Sequence, residues 1–244
     1  MAARSHGVRW EHQPGFVLHG YPFRETSLVV ETFTSQHGRV ALMARGARRP
    51  RSALRGILLA FQPLLLSWMG KSELRTLVGA EWDGTYAPLR GEALMCGFYL
   101  NELILRLLPR DDPHESVFAA YRAALAALAA GTDHATVLRS FELTLLGELG
   151  YAVLLDREAD SGVPIAAERT YVYVIERGPL PAAGTPAANG VELTGQTLLD
   201  MQSGNFAGPV TQQQSKNLMR ALINHYLGNQ VLHTRQLLRD LHEL

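Results

Sequence analysis

The first 80 residues contain five short segments that are rich in β-branched residues or alternate apolar with polar residues, with turn signals between them. Segments of this kind are typical of β-strands. Five short strands in about 70 residues predict a small barrel of the OB type, a fold that often binds single-stranded nucleic acid. Other small five-stranded barrels satisfy the same pattern. The predicted strands are Phe16–Tyr21, Ser27–Thr34, Arg39–Arg45, Leu64–Met69 and Leu74–Ala80.

The sequence after this region is mainly helical by its apolar periodicity. Asp112 is a plausible N-cap with Pro113 at the first helical position, and Gly131 lies where a C-terminal cap belongs. Helices are predicted over Glu92–Leu108, from Asp112 to Ala130, from Thr132 or Asp133 to Leu149, and over Thr194–Met201, Val210–Leu227 and Thr234–Leu244.

Residues 156–188 differ from the helical segments around them. They are rich in glycine, proline and alanine and hold one strand-like run, Thr170–Glu176, which predicts an irregular β-excursion. The expected fold class is therefore α+β. An OB-type domain occupies residues 1–82, and a mainly helical domain follows over residues 83–244.

The formal net charge of the 244-residue chain is zero, with 23 basic and 23 acidic side chains. The two signs are unevenly distributed. Residues 1–80 hold 11 basic and 4 acidic residues, whereas residues 81–244 hold 12 basic and 19 acidic ones. Asymmetry of this kind indicates a part that binds nucleic acid joined to a part of another kind.

Six arginines and no acidic residue lie between positions 39 and 55. Arginine binds phosphate through two parallel hydrogen bonds, so this run predicts a surface that follows a phosphate backbone. A solvated loop on a basic domain is the alternative interpretation. Lys71 and Arg75 extend the predicted path, and the candidate DNA-binding residues are Arg39, Arg45, Arg48, Arg49, Arg51, Arg55, Lys71 and Arg75.

The sequence offers little for catalysis or metal binding. The single cysteine, Cys96, excludes an intramolecular disulfide and a four-cysteine zinc site, and it suits a reducing cytosol. Gly70-Lys71-Ser72 looks like the end of a P-loop, but the glycine required five residues earlier is Leu65. The most apolar stretch, Ile57–Trp68, is too short to span a bilayer as a helix. We therefore predict no enzyme, no cofactor and no membrane segment.

Several motifs match one family together. In the N-terminal region they are Phe16-Val17-Leu18-His19, Tyr21-Pro22-Phe23-Arg24-Glu25-Thr26-Ser27-Leu28, His37-Gly38-Arg39-Val40, Gly46-Ala47-Arg48-Arg49-Pro50-Arg51-Ser52, Leu54-Arg55-Gly56, Phe61-Gln62-Pro63-Leu64-Leu65-Leu66 and Glu73-Leu74-Arg75-Thr76-Leu77. In the helical region they are Gly97-Phe98-Tyr99-Leu100-Asn101-Glu102-Leu103, Phe141-Glu142-Leu143, Leu149-Gly150-Tyr151 and His225-Tyr226-Leu227-Gly228. With these motifs the chain resembles the RecO recombination-mediator proteins of bacterial DNA repair.

The resemblance implies an N-terminal OB domain followed by a helical domain. It also implies binding of single- and double-stranded DNA and annealing of complementary strands. With RecR, and with RecF in some lineages, such a protein helps to load RecA onto DNA coated by single-strand-binding protein. The expected location is the cytoplasm, in association with the nucleoid.

Many members of this family carry a four-cysteine zinc site after the motif that ends here at Tyr151. This sequence has no cysteine there, so it resembles the zinc-free branch and we predict no metal. A basic stretch that the family has near its C-terminus reads Val231-Leu232-His233-Thr234-Arg235 here. That departure weakens any expectation of DNA contact from the tail.

The resemblance further suggests that the helical domain captures the acidic, phenylalanine-ended tail of single-strand-binding protein. Such a site needs an apolar pocket beside a cation for the terminal carboxylate. Arg139 is the candidate cation and Arg122 a second one, although both can equally be ordinary helix-surface arginines. Two other function classes stay open: an adaptor whose basic barrel binds an acidic protein, and a nucleotidyl-processing enzyme on an OB fold.

Overall fold

The structure is a computed structural model that describes residues 8–84, 86–228 and 230–242. These residues form two compact units, one of residues 8–130 with 234–242 and one of residues 131–233. The first unit holds β1 (Arg9–Phe23), β2 (Ser27–Thr34), β3 (Gly38–Ala44), α1 (Leu54–Ile57), β4 (Leu64–Met69), β5 (Leu74–Trp82), α2 (Gly91–Leu107) and α3 (Glu115–Ala129). The second holds α4 (His134–Glu148), β6 (Thr170–Val174), β7 (Gly178–Pro181), a 3-10 turn (Ala187–Asn189), β8 (Val191–Thr194), α5 (Gly195–Ser203) and α6 (Pro209–Leu227), and α7 (His233–His242) follows.

The five N-terminal strands close into a barrel in the order β1-β2-β3-β5-β4, which confirms the predicted OB-type fold. All neighbours are antiparallel except β3 and β5, which run parallel. Alternate residues of each strand point inward, so Val30 and Leu42, which are register partners on β2 and β3, are both buried in the core. Trp68 on β4 is fully buried in the same core.

Strand β1 is longer than predicted because it pairs with two different strands along its length. Its first half pairs with β4 and its second half with β2, and a bulge lies between Val17 and His19. Bulges of this kind bend a strand and allow one strand to turn a barrel corner. His12, at φ +50°, lies in the part of β1 where the pairing with β4 is irregular.

Helices α2 and α3 pack against the barrel through an aromatic cluster and one polar link. Phe16 of β1 meets Phe118 and Tyr121 of α3 at centroid distances of 5.7 and 5.2 Å. The Asn101 amide donates to the Leu18 carbonyl at the β1 bulge, and the Tyr121 hydroxyl donates to Asn101 Oδ1. Burial raises the pKa of Tyr121, so the phenol remains a hydrogen-bond donor throughout the physiological range.

Helix α3 begins later than predicted, with His114 rather than Asp112 as its N-cap. The residues before it are bound to the barrel instead. The Asp111 amide donates to the Arg39 carbonyl at 2.9 Å, and a Cβ built on Gly38 would lie 1.9 Å from the Asp112 carbonyl oxygen. Asp111 adopts φ +59°, and these contacts to the barrel take the place of the helix start that the local sequence predicted.

In the second unit, α4 packs against α6, and α6 packs against α5 and β8. Asp133, one of the two residues predicted to start α4, is its N-cap. The Asp133 carboxylate accepts a hydrogen bond from the Thr136 amide at 2.8 Å. The predicted β-excursion over residues 156–188 holds two strands, β6 and β7, rather than one, and β8 beyond it completes a sheet in the order β7-β6-β8. Every helix in the described part of the chain is too short or too polar to span a membrane.

Candidate nucleic-acid interface

The arginine-rich segment forms a loop between β3 and α1. Ala47 is fully buried in the barrel core and fixes the loop to it. The loop closes through its own backbone, since the Arg49 amide donates to the Gly46 carbonyl and the Ser52 amide to the Arg49 carbonyl. Gly46 adopts φ +68°, a left-handed conformation that glycine accepts without strain.

Five of the predicted DNA-binding arginines are exposed on this loop and on α1. In the described part of the chain, none of the five forms an ion pair with a carboxylate. Arg48 donates to the carbonyls of Arg24 and Glu25, but its charge, like that of the other four, is not neutralised by a carboxylate. All five are exposed, and their closeness in sequence gives one cationic surface. They are Arg45, Arg48, Arg49, Arg51 and Arg55.

A cavity of about 280 Å³ lies beside the loop. Its walls combine apolar side chains of the barrel and α1 with the two arginines Arg48 and Arg55. The apolar lining residues are Leu28, Ala47, Leu54 and Leu58. The loop thus places cations at the edge of an apolar recess, a combination that nucleic-acid and anionic ligands both use.

Arg39 lies on β3, but its side chain has internal partners. It is 11% exposed and donates to the carbonyls of Leu105 and Leu108 at 2.8 and 2.5 Å, at the C-terminal end of α2. It also pairs with the buried carboxylate of Glu31 at 3.4 Å, a carboxylate to which Arg110 is bound as well. Burial lowers the pKa of the Arg39 guanidinium, while Glu31 acts in the opposite direction.

Arg75 is likewise held by the protein. Its side chain is 13% exposed, pairs with Asp111 at 2.7 Å and lies over the Trp10 ring at 5.3 Å. Lys71 is exposed in the tight turn between β4 and β5, the turn that the sequence predicted for Gly70-Lys71-Ser72. The structure therefore separates the eight predicted residues into six exposed cations and two internally paired ones, and their contact with DNA stays a prediction.

The second unit contains a cavity of about 350 Å³ that includes Arg139. Arg139 of α4 pairs with the buried Glu142 at 2.7 Å. Lys216, about two turns into α6, supplies a second, exposed cation on the same cavity. Sequence reasoning missed Lys216 because only the packing of α6 on α4 brings it near Arg139. The remaining lining residues are Ala135, Leu138, Pro209, Gln212 and Gln213.

Arg122, the second candidate cation, is exposed on α3 in the first unit. Among the described residues, no group of three or more histidine, cysteine, aspartate or glutamate side chains is arranged to hold a metal ion. Cys96 is buried on α2. The candidate sites are thus a cationic barrel surface and a mixed apolar and cationic cavity.

These features define a protein that joins an arginine-rich OB-type barrel to a mainly helical remainder. Residues 9–86 match the family model described as "Recombination protein O N terminal", and residues 89–236 match "Recombination protein O C terminal". The chain belongs to the RecO family, and its role lies in DNA repair and recombination.

Curated relatives agree with this assignment over nearly the full length. The chain is 56% identical to the DNA repair protein RecO of Nitrosospira multiformis, over 97% of this chain and 98% of the relative. It is 57% identical to the protein of the same name from Aromatoleum aromaticum, with the same two coverages. The RecO of Azoarcus is 52% identical, again over 97% and 98%.

Proposed function

We propose that this protein is a recombination mediator that binds single- and double-stranded DNA and anneals complementary strands. It works with RecR, and in some settings RecF, to load RecA onto DNA coated by single-strand-binding protein, and it acts at the nucleoid. The observation that carries the DNA-binding part is the group of five exposed arginines without a carboxylate partner. Family membership supports the remainder.

Annealing by this surface needs no catalytic residue. Two complementary strands repel each other through their phosphates, and arginines that neutralise those phosphates lower the repulsion. Contacts to phosphate carry no sequence information, so they leave the base edges free to pair. Because duplex DNA carries the same phosphates, we expect this surface to bind the double-stranded product as well.

The test is a charge-reversal pair in the loop, Arg48→Glu with Arg49→Glu. A matched control, Arg90→Glu with Arg220→Glu, makes the same change of charge on two exposed arginines away from the loop. We expect the loop pair to abolish most single-strand binding in fluorescence anisotropy and most annealing, and the control to retain both. Wild-type affinity in the loop pair would refute the assignment, as would equal losses in the two variants.

The cavity between α4 and α6 supports a second part of the proposal, capture of the acidic tail of single-strand-binding protein. Leu138 and Pro209 offer apolar contact for a terminal phenylalanine ring, and the exposed Lys216 offers charge for its carboxylate. The Arg139 guanidinium lines the same cavity but is paired with Glu142. The N-terminus of α6 also lies at this cavity, since Pro209 is one of its lining residues. It begins at Pro209 with no acidic residue in its first turn, which favours a bound anion.

Lys216 allows a cleaner test of this site than Arg139. Removing Arg139 alone would break its ion pair with the buried Glu142, a change that typically costs about 3–5 kcal/mol of folding free energy. Lys216→Glu changes an exposed residue and should leave the fold intact. We expect it to weaken binding of a labelled tail peptide at least tenfold. Arg122→Glu tests the other candidate cation by the same measurement. Unchanged peptide affinity in Lys216→Glu would contradict the site.

A further inference from the structure

The last five residues of β1, His19–Phe23, extend beyond the part of the strand that is buried in the barrel. All five are exposed, and they pair with β2 only, since the pairing of β1 with β4 ends at Gly15. Alternate residues of a strand share a face. His19, Tyr21 and Phe23 therefore stand on one face of this segment, and we refer to them as the aromatic row.

The rings of the aromatic row remain accessible. Tyr21 is 49% and Phe23 37% exposed. The His19 and Tyr21 rings contact each other at a centroid distance of 4.4 Å, and the Arg24 guanidinium lies over the Phe23 ring at 5.4 Å. Large exposed aromatic side chains in a row, beside a cation, are a recurrent mark of binding surfaces.

Arg24 holds its position at a conformational cost. It adopts φ +51°, in the left-handed region that residues with a Cβ rarely enter. Strained residues of this kind cluster at functional sites, where surrounding structure maintains them. Here the strained turn is what carries the guanidinium to the face of Phe23.

The aromatic row is continuous with the arginine loop. The Arg48 amide donates to the Thr26 carbonyl at 2.9 Å, in the turn that follows the row. The Arg48 guanidinium donates to the carbonyls of Arg24 and Glu25 at 3.2 and 3.3 Å. Rings and phosphate-binding cations thus lie on one connected surface of the barrel.

Spacing and charge indicate what this surface binds. Residues two apart on a strand are about 6.8 Å apart, whereas successive bases along one strand of B-DNA are stacked about 3.4 Å apart along the helix axis. A duplex cannot match its bases to the row, but an extended single strand can. Pro22, which has no N–H to donate, makes this edge a poor template for an added protein strand.

We propose that His19, Tyr21 and Phe23, with Arg24, form a stacking platform for unpaired bases of single-stranded nucleic acid. This inference rests on the proposed DNA-binding function and adds the source of a preference for single strands. Bases that stack by their faces keep their pairing edges exposed. The platform therefore presents a bound strand to its complement while the arginine loop neutralises the phosphates.

The test compares a short oligothymidylate with an abasic strand of equal length and charge. The variant is Tyr21→Leu with Phe23→Leu, which keeps apolar side chains but removes both rings. We expect it to lose at least about fivefold in affinity for oligothymidylate and nothing for the abasic strand. Trp82→Leu, which removes an aromatic ring that is 54% exposed at the end of β5, is the matched control and should bind both strands as the wild type does.

The outcomes separate this inference from the function on which it rests. If Arg48→Glu with Arg49→Glu loses both strands while the leucine variant loses neither, DNA binding stands and the platform is refuted. Equal losses for the two strands in the leucine variant, or an equal effect of Trp82→Leu, also refute it. If the loop variant loses neither strand, the proposed function itself fails.

A second variant tests Arg24 separately. Arg24→Gly places a glycine where the backbone has a positive φ, so the melting temperature should not fall. Its affinity for oligothymidylate should fall all the same. Unchanged affinity would remove Arg24 from the platform.

Discussion

Replacing Arg39 by methionine should destabilise the barrel and leave the DNA affinity of the folded protein close to that of the wild type. The change keeps an apolar stem of similar length and removes the guanidinium. That group binds two backbone carbonyls at the end of α2 and the carboxylate of Glu31, whose side chain is only 3% exposed.

The expected cost follows from what the change leaves behind. Breaking a buried ion pair by removing one partner costs about 3–5 kcal/mol. Arg110 still neutralises Glu31, which argues for the lower end of that range, and the two carbonyls lose charge-assisted hydrogen bonds. We expect about 3 kcal/mol, a large part of the roughly 5–15 kcal/mol that stabilises a typical domain.

Urea unfolding and fluorescence anisotropy measure the two effects separately. Arg45→Met, which removes an exposed arginine just beyond the same strand, is the matched control. It should change the free energy of unfolding by less than about 0.5 kcal/mol and weaken DNA binding. The reasoning is refuted if Arg39→Met unfolds like the wild type and loses as much DNA affinity as Arg45→Met.

Three further changes test the packing that positions these surfaces. Gly38→Ala should destabilise the first unit by more than about 2 kcal/mol, because its Cβ would lie 1.9 Å from the Asp112 carbonyl and φ is +61°; an unchanged urea midpoint would contradict this. Asp133→Ala should cost about 1 kcal/mol and Asp133→Asn much less, as measured by thermal unfolding. The hydrogen bond to the α4 backbone lowers the pKa of Asp133, so its contribution is complete above about pH 4 and is lost as the pH falls through the lowered value. Burial, and next the positive charge of Arg75, lowers the pKa of His37, so the free energy of unfolding should decline as the pH drops below about 6.5. His37 lies edge-on to Trp68, so tryptophan emission can report its protonation. An emission change centred at or above about pH 6.5 would contradict this prediction.

Local pattern was sufficient to predict most elements of the fold. Strands β2 and β4 begin and end where alternation and turn residues placed them, because those signals act within a few residues. The bend of β1 was not predictable, since it depends on two different partner strands. Strands β7 and β8 were missed because Gly178–Pro181 and Val191–Thr194 are short, and their pairing with β6 defines them.

Charge composition predicted which part of the chain is cationic but not which cations are exposed. Arg39 and Arg49 look alike in sequence, yet the carbonyl of Leu105 that holds Arg39 lies 66 residues further along the chain. Lys216 and Arg139 line one cavity only through helix packing. Contacts between residues so far apart in sequence depend on the tertiary structure, and the spacing of residues along the chain does not predict them.

The central claim is that the exposed arginine loop binds DNA by neutralising phosphates. The most direct measurement is the salt dependence of single-strand affinity for the wild type and for Arg48→Glu with Arg49→Glu. If five exposed arginines each neutralise one phosphate, log K against log[salt] should have a slope of about −3.5, and the variant should bind weakly with a much shallower slope. A wild-type slope near zero, or the same slope and affinity in the variant, would contradict the account.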